Sequence, residues 1–434
     1  MPTRLVQRRR REVASVSMLC GVLLVGAASA PAWAESTREK QWFLDAMKAD
    51  EMWRTSKGTG VTVAVIDSGV DSSNPDLLGQ VLPGKDLSQG QPGDEHTDYN
   101  GHGTSMAGLI AGTGARDGGN GAFGLAPGAK ILPIRMPKSG ETNQAEGDKR
   151  FNEIAPQAIR YAADQNAKVI NISLGSAVGS PRLAAAVKYA LGKGSLVFAA
   201  VGNSGDSGNG VEYPAATPGV VGVAAVGKDL HGTAWSEYGP QVDMAAPGVE
   251  MVHACGGKTG LCKSEGTSDA TALASASAAL IWSKHPEWTN NQVLRVLVNT
   301  LGGPTDGAKR NDSIGFGLVR PRVALKTPGD PGPANVYPLP DPPQSGESAA
   351  PATPSPAGAP AKADAPQAEK ADKSNTSLFV FLGLGALGLV IVLIGVWTLR
   401  KRRQQALTDQ VQPAGWGPGA GWPEQQNRDR TGSH

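Results

Sequence analysis

The clearest indication of the fold is the segment Val61-Thr62-Val63-Ala64-Val65-Ile66-Asp67-Ser68-Gly69. Its first six residues form a continuous, largely β-branched apolar run, which is typical of a strand buried on both faces of a parallel sheet. The run ends in a carboxylate, Asp67. Ligands of open parallel sheets bind beyond the carboxyl ends of the strands, so a polar residue at this position is a candidate site residue.

Further apolar runs repeat this pattern along the chain, and helical patterns separate them. The predicted additional strands are Ile131–Ile134, Val169–Ile172, Leu196–Ala200 and Val220–Val226. The predicted helices are His102–Gly112, Asn152–Gln165, Arg182–Leu191 and Ser268–Lys284. Strands that alternate with helices indicate βαβ crossovers, so the sequence predicts an α/β fold with a mostly parallel central sheet.

Two more residues share the setting of Asp67. His102 lies in Asn-Gly-His-Gly-Thr-Ser and Ser268 lies in Glu-Gly-Thr-Ser-Asp-Ala, each at a predicted helix start. A hydroxyl is a weak nucleophile that needs a base, and the base needs a carboxylate to hold its tautomer. The order Asp67, His102, Ser268 therefore predicts nucleophilic catalysis by a triad, in the chain order of subtilisin.

These blocks give the chain a plain resemblance to subtilisin-type serine proteases over nearly all of residues 35–326. The resemblance implies the three-layer fold of that family and an endopeptidase that works through an acyl-enzyme on a polypeptide substrate. A fourth block, Ala200-Val201-Gly202-Asn203-Ser204-Gly205, resembles the segment whose Asn stabilises the oxyanion. Asn203 is thus expected to donate to that charge. Ser173-Leu174-Gly175 resembles the edge that pairs with the substrate backbone.

The two ends of the chain predict membrane topology. Residues 1–34 are interpreted as a signal peptide, with an arginine-rich start, an apolar stretch and an Ala32-Trp33-Ala34 cleavage site. Residues 378–399 are uncharged, long enough to span a bilayer and followed by a basic cluster. By the positive-inside rule, residues 400–434 would be a cytoplasmic tail and the rest extracellular, as in a single-pass type I cell-membrane protein.

The remaining segments complete a domain plan. The proline-rich residues 327–377 are predicted to be a tether, and residues 35–60 an N-terminal extension of the peptidase domain. This organisation resembles the mycosins, membrane-anchored proteases of type VII secretion systems. The resemblance implies that the extension packs on the domain and that the secretion membrane complex is a partner. It also allows a second function, a structural subunit in which proteolysis is dispensable.

Composition and cysteine count exclude several classes. Lys plus Arg number 41 and Asp plus Glu 39, a near-balance that argues against a nucleic-acid binder. Three cysteines cannot form a four-cysteine zinc site. Outside the cell, Cys255 and Cys262 are predicted to form a disulfide, with a metal-binding pair as the alternative. No cofactor and no metal site are predicted.

Two positions depart from the family pattern. Asp269 and Ala272 stand where the family has a bulky apolar residue and a proline. Asp269 either complements the helix macrodipole or opposes the oxyanion, and on the second reading we expect a weak or selective protease. The remaining histidines lack the glycine-flanked setting of His102 and are expected at the surface: His96, His231, His253, His285 and His434.

Overall fold

The computed structural model describes residues 36–138, 143–256, 259–305 and 307–340. The predicted signal peptide, the membrane segment at 378–399, the tail at 400–434 and the tether from residue 341 onward lie outside the described residues. Within the described part of the chain, no helix is long and apolar enough to cross a membrane.

A seven-stranded parallel sheet forms the centre of the domain, in the order β2-β3-β1-β4-β5-β6-β7. Its strands are β1 Thr62–Asp67, β2 Lys85–Asp86, β3 Lys130–Arg135, β4 Val169–Ile172, β5 Leu196–Ala200, β6 Val221–Val226 and β7 Met244–Pro247. A separate antiparallel hairpin pairs β8 Met251–Ala254 with β9 Leu261–Ser264. The predicted subtilisin-like α/β class with a mostly parallel sheet is confirmed.

Helices cover both faces of the sheet. They are α1 Thr37–Lys40, α2 Trp42–Ala46, α3 Ala49–Met52, α4 His102–Ala111, α5 Arg116–Gly119, α6 Gln144–Asp164, α7 Pro181–Gly192, α8 Thr267–Lys284, α9 Asn290–Asn299 and α10 Pro321–Lys326. Successive residues of a strand face opposite sides of the sheet, so each strand contributes to a separate core on each face. Val63 and Val65 of β1 pack into the core with α4 and α8, whereas Ala64 and Ile66 face α6 and α7.

The crossovers create a switch point that positions the site. β1 pairs with β3 on one side and with β4 on the other. After β1 the chain forms β2 and β3 on the first side, and it then crosses over to form β4 to β7 on the second side. Asp67 ends β1 and Ser173 follows β4, at the crevice where ligands of such sheets bind. Helix α8 runs through the core and is buried from Thr267 to Trp282, as its short side chains allow.

The N-terminal extension packs on the domain, as the family resemblance implied. Phe43 and Leu44 are fully buried in the main core. The buried amide of Gln41 joins two distant segments: Nε2 donates to the Phe123 and Val252 carbonyls at 2.7 and 2.9 Å, and Oε1 accepts from the Phe123 amide at 3.0 Å. One side chain thus satisfies three backbone groups.

We expect Gln41→Ala to destabilise the protein by about 3 kcal/mol, because it removes every partner that Gln41 supplies to buried backbone groups. The loss would be measured as a fall in Tm of the full chain. The neighbouring exposed Lys40 provides the control, and Lys40→Ala should stay within about 0.5 kcal/mol of the wild type. Equal stability of both variants would show that the extension is not coupled to the domain.

The predicted start of the tether at residue 327 is wrong. The described residues 327–340 lie on the domain, where the Arg295 guanidinium donates to the carbonyls of Pro331, Pro333 and Val336 at 2.5–3.0 Å. Leu339 is only 6% exposed. Proline removes N–H donors but leaves carbonyl acceptors, so a proline-rich segment can still be held by an arginine.

Candidate active site

Asp67 and His102 form the centre of the site. The His102 ring lies on the first residue of α4, and its Nδ1 is 2.8 Å from Oδ1 and 2.9 Å from Oδ2 of Asp67. Asp67 is fully buried, whereas one third of the His102 side chain is exposed. The charge of Asp67 is the largest cause that raises the pKa of His102, to about 9, against the opposing effect of burial.

A second carboxylate, which the sequence analysis did not single out, holds the helix that carries His102. Asp98 accepts from the Thr104 amide and hydroxyl at 2.8 and 2.6 Å and from the Gly101 amide at 2.8 Å. A carboxylate at a helix N-terminus is stabilised by the free amides and the macrodipole. The spacing Asp98-Tyr99-Asn100-Gly101-His102 was the available signal, because an acceptor just before a helix start is a capping pattern.

Ser268 lies in the first turn of α8 and is 8% exposed. Its hydroxyl donates to the Ser173 carbonyl oxygen at 3.3 Å, and the described residues contain no hydrogen bond between Ser268 and His102. In an enzyme without substrate such bonds are often long, so this geometry is compatible with a base that approaches during binding. The structure therefore pairs Asp67 with His102 and leaves Ser268 bonded to the segment after β4.

Asn203 faces the same helix start. Its Oδ1 accepts from the Thr267 amide at 2.9 Å and from the Thr267 hydroxyl at 3.1 Å, and the side chain is exposed. These two bonds hold the oxygen of the amide toward α8. The Nδ2 donors of Asn203 make no hydrogen bond with any described residue. A fixed and unused donor is what an oxyanion site requires.

The predicted substrate edge follows β4 directly. Ser173 is buried, Leu174 is half-buried and Gly175 is exposed. Glu212, which the sequence analysis also missed, lies against this edge: a Cβ added to Gly175 would come within 2.3 Å of Glu212 Oε2. Burial, together with the nearby charges of Glu237 and Asp148, raises the pKa of Glu212 to about 7.

The hairpin β8–β9 is closed beside the site by a disulfide. Cys255 and Cys262 are bonded, with their Cα atoms 5.8 Å apart, so the structure supports the predicted disulfide rather than the metal-binding pair. The expectation that His253 lies at the surface is wrong. This side chain is 0% exposed because strand β8 packs against α4, a contact that no local pattern around His253 reveals.

Asp269 is also buried, at 2% exposure, and its carboxylate bonds to the Ser264 hydroxyl. Burial raises the pKa of Asp269 to about 6. Ala272 is fully buried in the main core.

Comparison with known proteins identifies the family. The model of the subtilase family (peptidase S8) matches residues 58–317. The chain belongs to the subtilase family. Similar curated subtilases include the thermostable alkaline protease of Halalkalibacterium halodurans, 36% identical over 57% of this chain, and subtilisin NAT of Bacillus subtilis subsp. natto, 38% identical over 56%. The chain spans 64% and 61% of the lengths of these two relatives.

Solved subtilase structures similar to this chain include mycosins. MycP1 from Mycobacterium smegmatis is 26% identical with a TM-score of 0.60, over 70% of this chain and 89% of that one. The MycP3 protease from the type VII (ESX-3) secretion system is 33% identical with a TM-score of 0.56, over 65% and 87%. The chain is therefore structurally similar to proteases of type VII secretion systems.

Proposed function

We propose that this subtilase is a serine endopeptidase in which Ser268 is the nucleophile, His102 the general base and Asp67 the group that orients the base. The bond from His102 Nδ1 to the buried Asp67 carboxylate carries this proposal. It directs the Nδ1 proton toward Asp67, so that the neutral imidazole carries no proton on Nε2 and can accept that of a serine hydroxyl.

The proposed reaction proceeds through an acyl-enzyme. Ser268 Oγ attacks the scissile carbonyl carbon while its proton passes to Nε2 of His102. The negative charge on the former carbonyl oxygen would be met by Nδ2 of Asn203 and by the Ser268 amide at the N-terminus of α8. His102 then returns the proton to the leaving amine, the peptide bond breaks, and water hydrolyses the ester.

Labelling of the purified full chain with a fluorophosphonate tests this assignment. We expect one adduct per chain, which mass spectrometry maps to the peptide that contains Ser268, and no labelling after heat denaturation. The serines Ser275 and Ser277 lie buried in the same helix and serve as internal controls. Absence of an adduct, or an adduct on another serine, would refute the proposed nucleophile.

Glu212 supports a preference for substrates with a cationic side chain next to the scissile bond, because its carboxylate lies beside Gly175 of the proposed substrate edge. We expect Glu212→Gln to lower kcat/KM for lysine or arginine peptides about tenfold relative to leucine peptides, equivalent to ~1.4 kcal/mol. The preference should weaken below pH 7, where Glu212 takes up a proton. Asp206→Asn removes an exposed acid of the same loop and should leave the ratio unchanged.

We also propose that the domain acts outside the cell, anchored by residues 378–399 and associated with a type VII secretion complex. The similarity to MycP1 and to the MycP3 protease from the type VII (ESX-3) secretion system supports this placement. The alternative is a structural subunit of such a complex. Ser268→Ala at the native level of expression distinguishes the two. If secretion persists while cleavage products disappear, secretion requires the folded protein and not its proteolytic activity.

A further inference from the structure

A largely buried network of hydrogen bonds connects the hairpin to the first turn of α8. His253 Nδ1 lies 2.9 Å from the Ala254 carbonyl oxygen, and His253 Nε2 lies 2.8 Å from the Ser264 hydroxyl. The same hydroxyl bonds to Oδ1 of Asp269, next to Ser268. His253 and Asp269 are 0% and 2% exposed, whereas Ser264 between them is half-buried.

Satisfying every contact in this hydrogen-bond network requires one more proton than a neutral His253 and an ionised Asp269 provide. The Ala254 carbonyl only accepts, so His253 Nδ1 carries a proton. The Ser264 hydroxyl has a single proton, but it lies between His253 Nε2 and the Asp269 carboxylate. Without an extra proton both neighbours are acceptors, and one buried contact is left unsatisfied, which is costly.

The extra proton belongs on Asp269. An imidazolium and a carboxylate would both have to be charged in this buried site, whereas the neutral arrangement avoids two desolvation penalties. The Asp269 carboxyl then donates to Ser264, and Ser264 donates to His253 Nε2. Burial raises the pKa of Asp269 to about 6, although a hydrogen bond donated by Ser264 would lower it, and burial lowers the pKa of His253 to about 4.

Asp269 is close to the proposed oxyanion site. A Cβ added to Gly266 would lie 3.4 Å from Asp269 Oδ2 and 3.7 Å from the Ser268 amide nitrogen. Two other charged groups act on Asp269: a protonated His102 lowers its pKa, and Glu265 raises it. When His102 is neutral and able to act as a base, Asp269 therefore holds its proton to a higher pH.

We infer that His253 and Ser264 keep Asp269 protonated, so that the turn carrying Ser268 presents no carboxylate charge to the oxyanion, and that loss of this proton at rising pH slows acylation. His253 and Ser264 are positioning residues, acting through Asp269. The effect on rate rests on the proposed role of Ser268. The proton itself does not depend on that role and can be measured separately.

The test compares Asp269→Asn with the wild type in the full chain, using the second-order rate of fluorophosphonate labelling between pH 5 and 8. The asparagine amide can donate to Ser264 as the protonated acid does, but it cannot ionise. We expect the rate ratio of variant to wild type to rise with pH to about tenfold. Titration of His102 occurs in both proteins and largely cancels in the ratio. A ratio that does not change with pH overturns the inference.

Two further variants sharpen the test. Asp206→Asn removes an exposed negative charge that is not among the groups acting on Asp269, and its ratio to the wild type should stay flat. His253→Phe removes the acceptor Nε2, so the Ser264 proton turns to the Asp269 carboxylate and favours its ionised form. The labelling rate relative to Asp269→Asn should then begin to fall at a lower pH than that of the wild type does. An unchanged profile of a folded His253→Phe protein would contradict the role of His253.

Thermal melting tests the protonation of Asp269 without requiring enzymatic activity. An acid whose pKa is raised by folding binds more protons in the native state, so its presence costs stability as pH rises through the window between its unfolded and folded pKa values. We expect Asp269→Asn to gain Tm relative to the wild type between pH 4 and about 6, with a constant gain above. A Tm difference independent of pH overturns the inference, whereas absent labelling with a pH-dependent difference refutes only the nucleophile.

Discussion

Replacement of Asp67 by asparagine should lower kcat/KM for a chromogenic peptide by about 10⁴, although the side chain keeps its shape. The introduced amide can present its Nδ2 to His102, which then carries its proton on Nε2 and cannot accept one from Ser268. Ser268→Ala should cause a loss at least as large. The double variant should lose no more than Ser268→Ala alone, because the residues act as a unit.

The pH profile separates this role of Asp67 from a structural one. The carboxylate raises the pKa of His102 to about 9, so wild-type kcat/KM should climb with pH as His102 loses its proton toward that value. In Asp67→Asn the residual activity should reach its plateau at a lower pH. Asp94→Asn, an exposed acid before α4, should change neither rate nor profile. An unshifted profile in Asp67→Asn would contradict the Asp67–His102 coupling.

Asn203→Leu should lower kcat by about 10²–10³ with little change in KM, because the Nδ2 donor meets charge that exists only in the transition state. Steady-state kinetics with the same peptide would measure both constants. Leucine also removes the acceptor that holds the Thr267 amide, so this variant alone does not separate the lost donor from a disturbed helix start.

Asn203→Asp controls for that disturbance. It keeps an oxygen for the Thr267 amide and hydroxyl but has no amide donor, and it adds a negative charge toward the oxyanion. Its kcat should fall at least as far as that of Asn203→Leu while its Tm stays nearer the wild type. Full kcat in a folded Asn203→Asp protein would exclude Asn203 from the oxyanion site.

The buried strands were predictable because local patterns specify them. Strands β4 and β5 begin and end where the apolar runs indicated, since a strand covered on both faces is apolar throughout. Helix α6 begins at Gln144 rather than Asn152, because Asn143 caps it with a bond to the Glu146 amide. The hairpin was missed: β9 reads Leu-Cys-Lys-Ser, is partly exposed and has no apolar run.

The candidate site residues also divide into those that a local sequence pattern reveals and those that it does not. Asp67, His102, Ser268 and Asn203 could be singled out because each stands in a short block at the end of a strand or the start of a helix. Glu212 and His253 could not, since nothing in their own segments distinguishes them. The role proposed for Glu212 depends on its position beside Gly175, and the role proposed for His253 depends on its hydrogen bonds through Ser264 to Asp269.

The fold class and the identity and chain order of the candidate catalytic groups could be predicted from the sequence, because these depend on local composition and on strand ends that a parallel sheet brings together. The partners of each buried acid became visible only in the tertiary structure. Asp67 and Asp269 are both buried carboxylates near His102, but one lies against an imidazole and the other against a serine hydroxyl with a second imidazole behind it. Protonation depends on desolvation and on hydrogen-bond partners, and both arise only when distant segments meet.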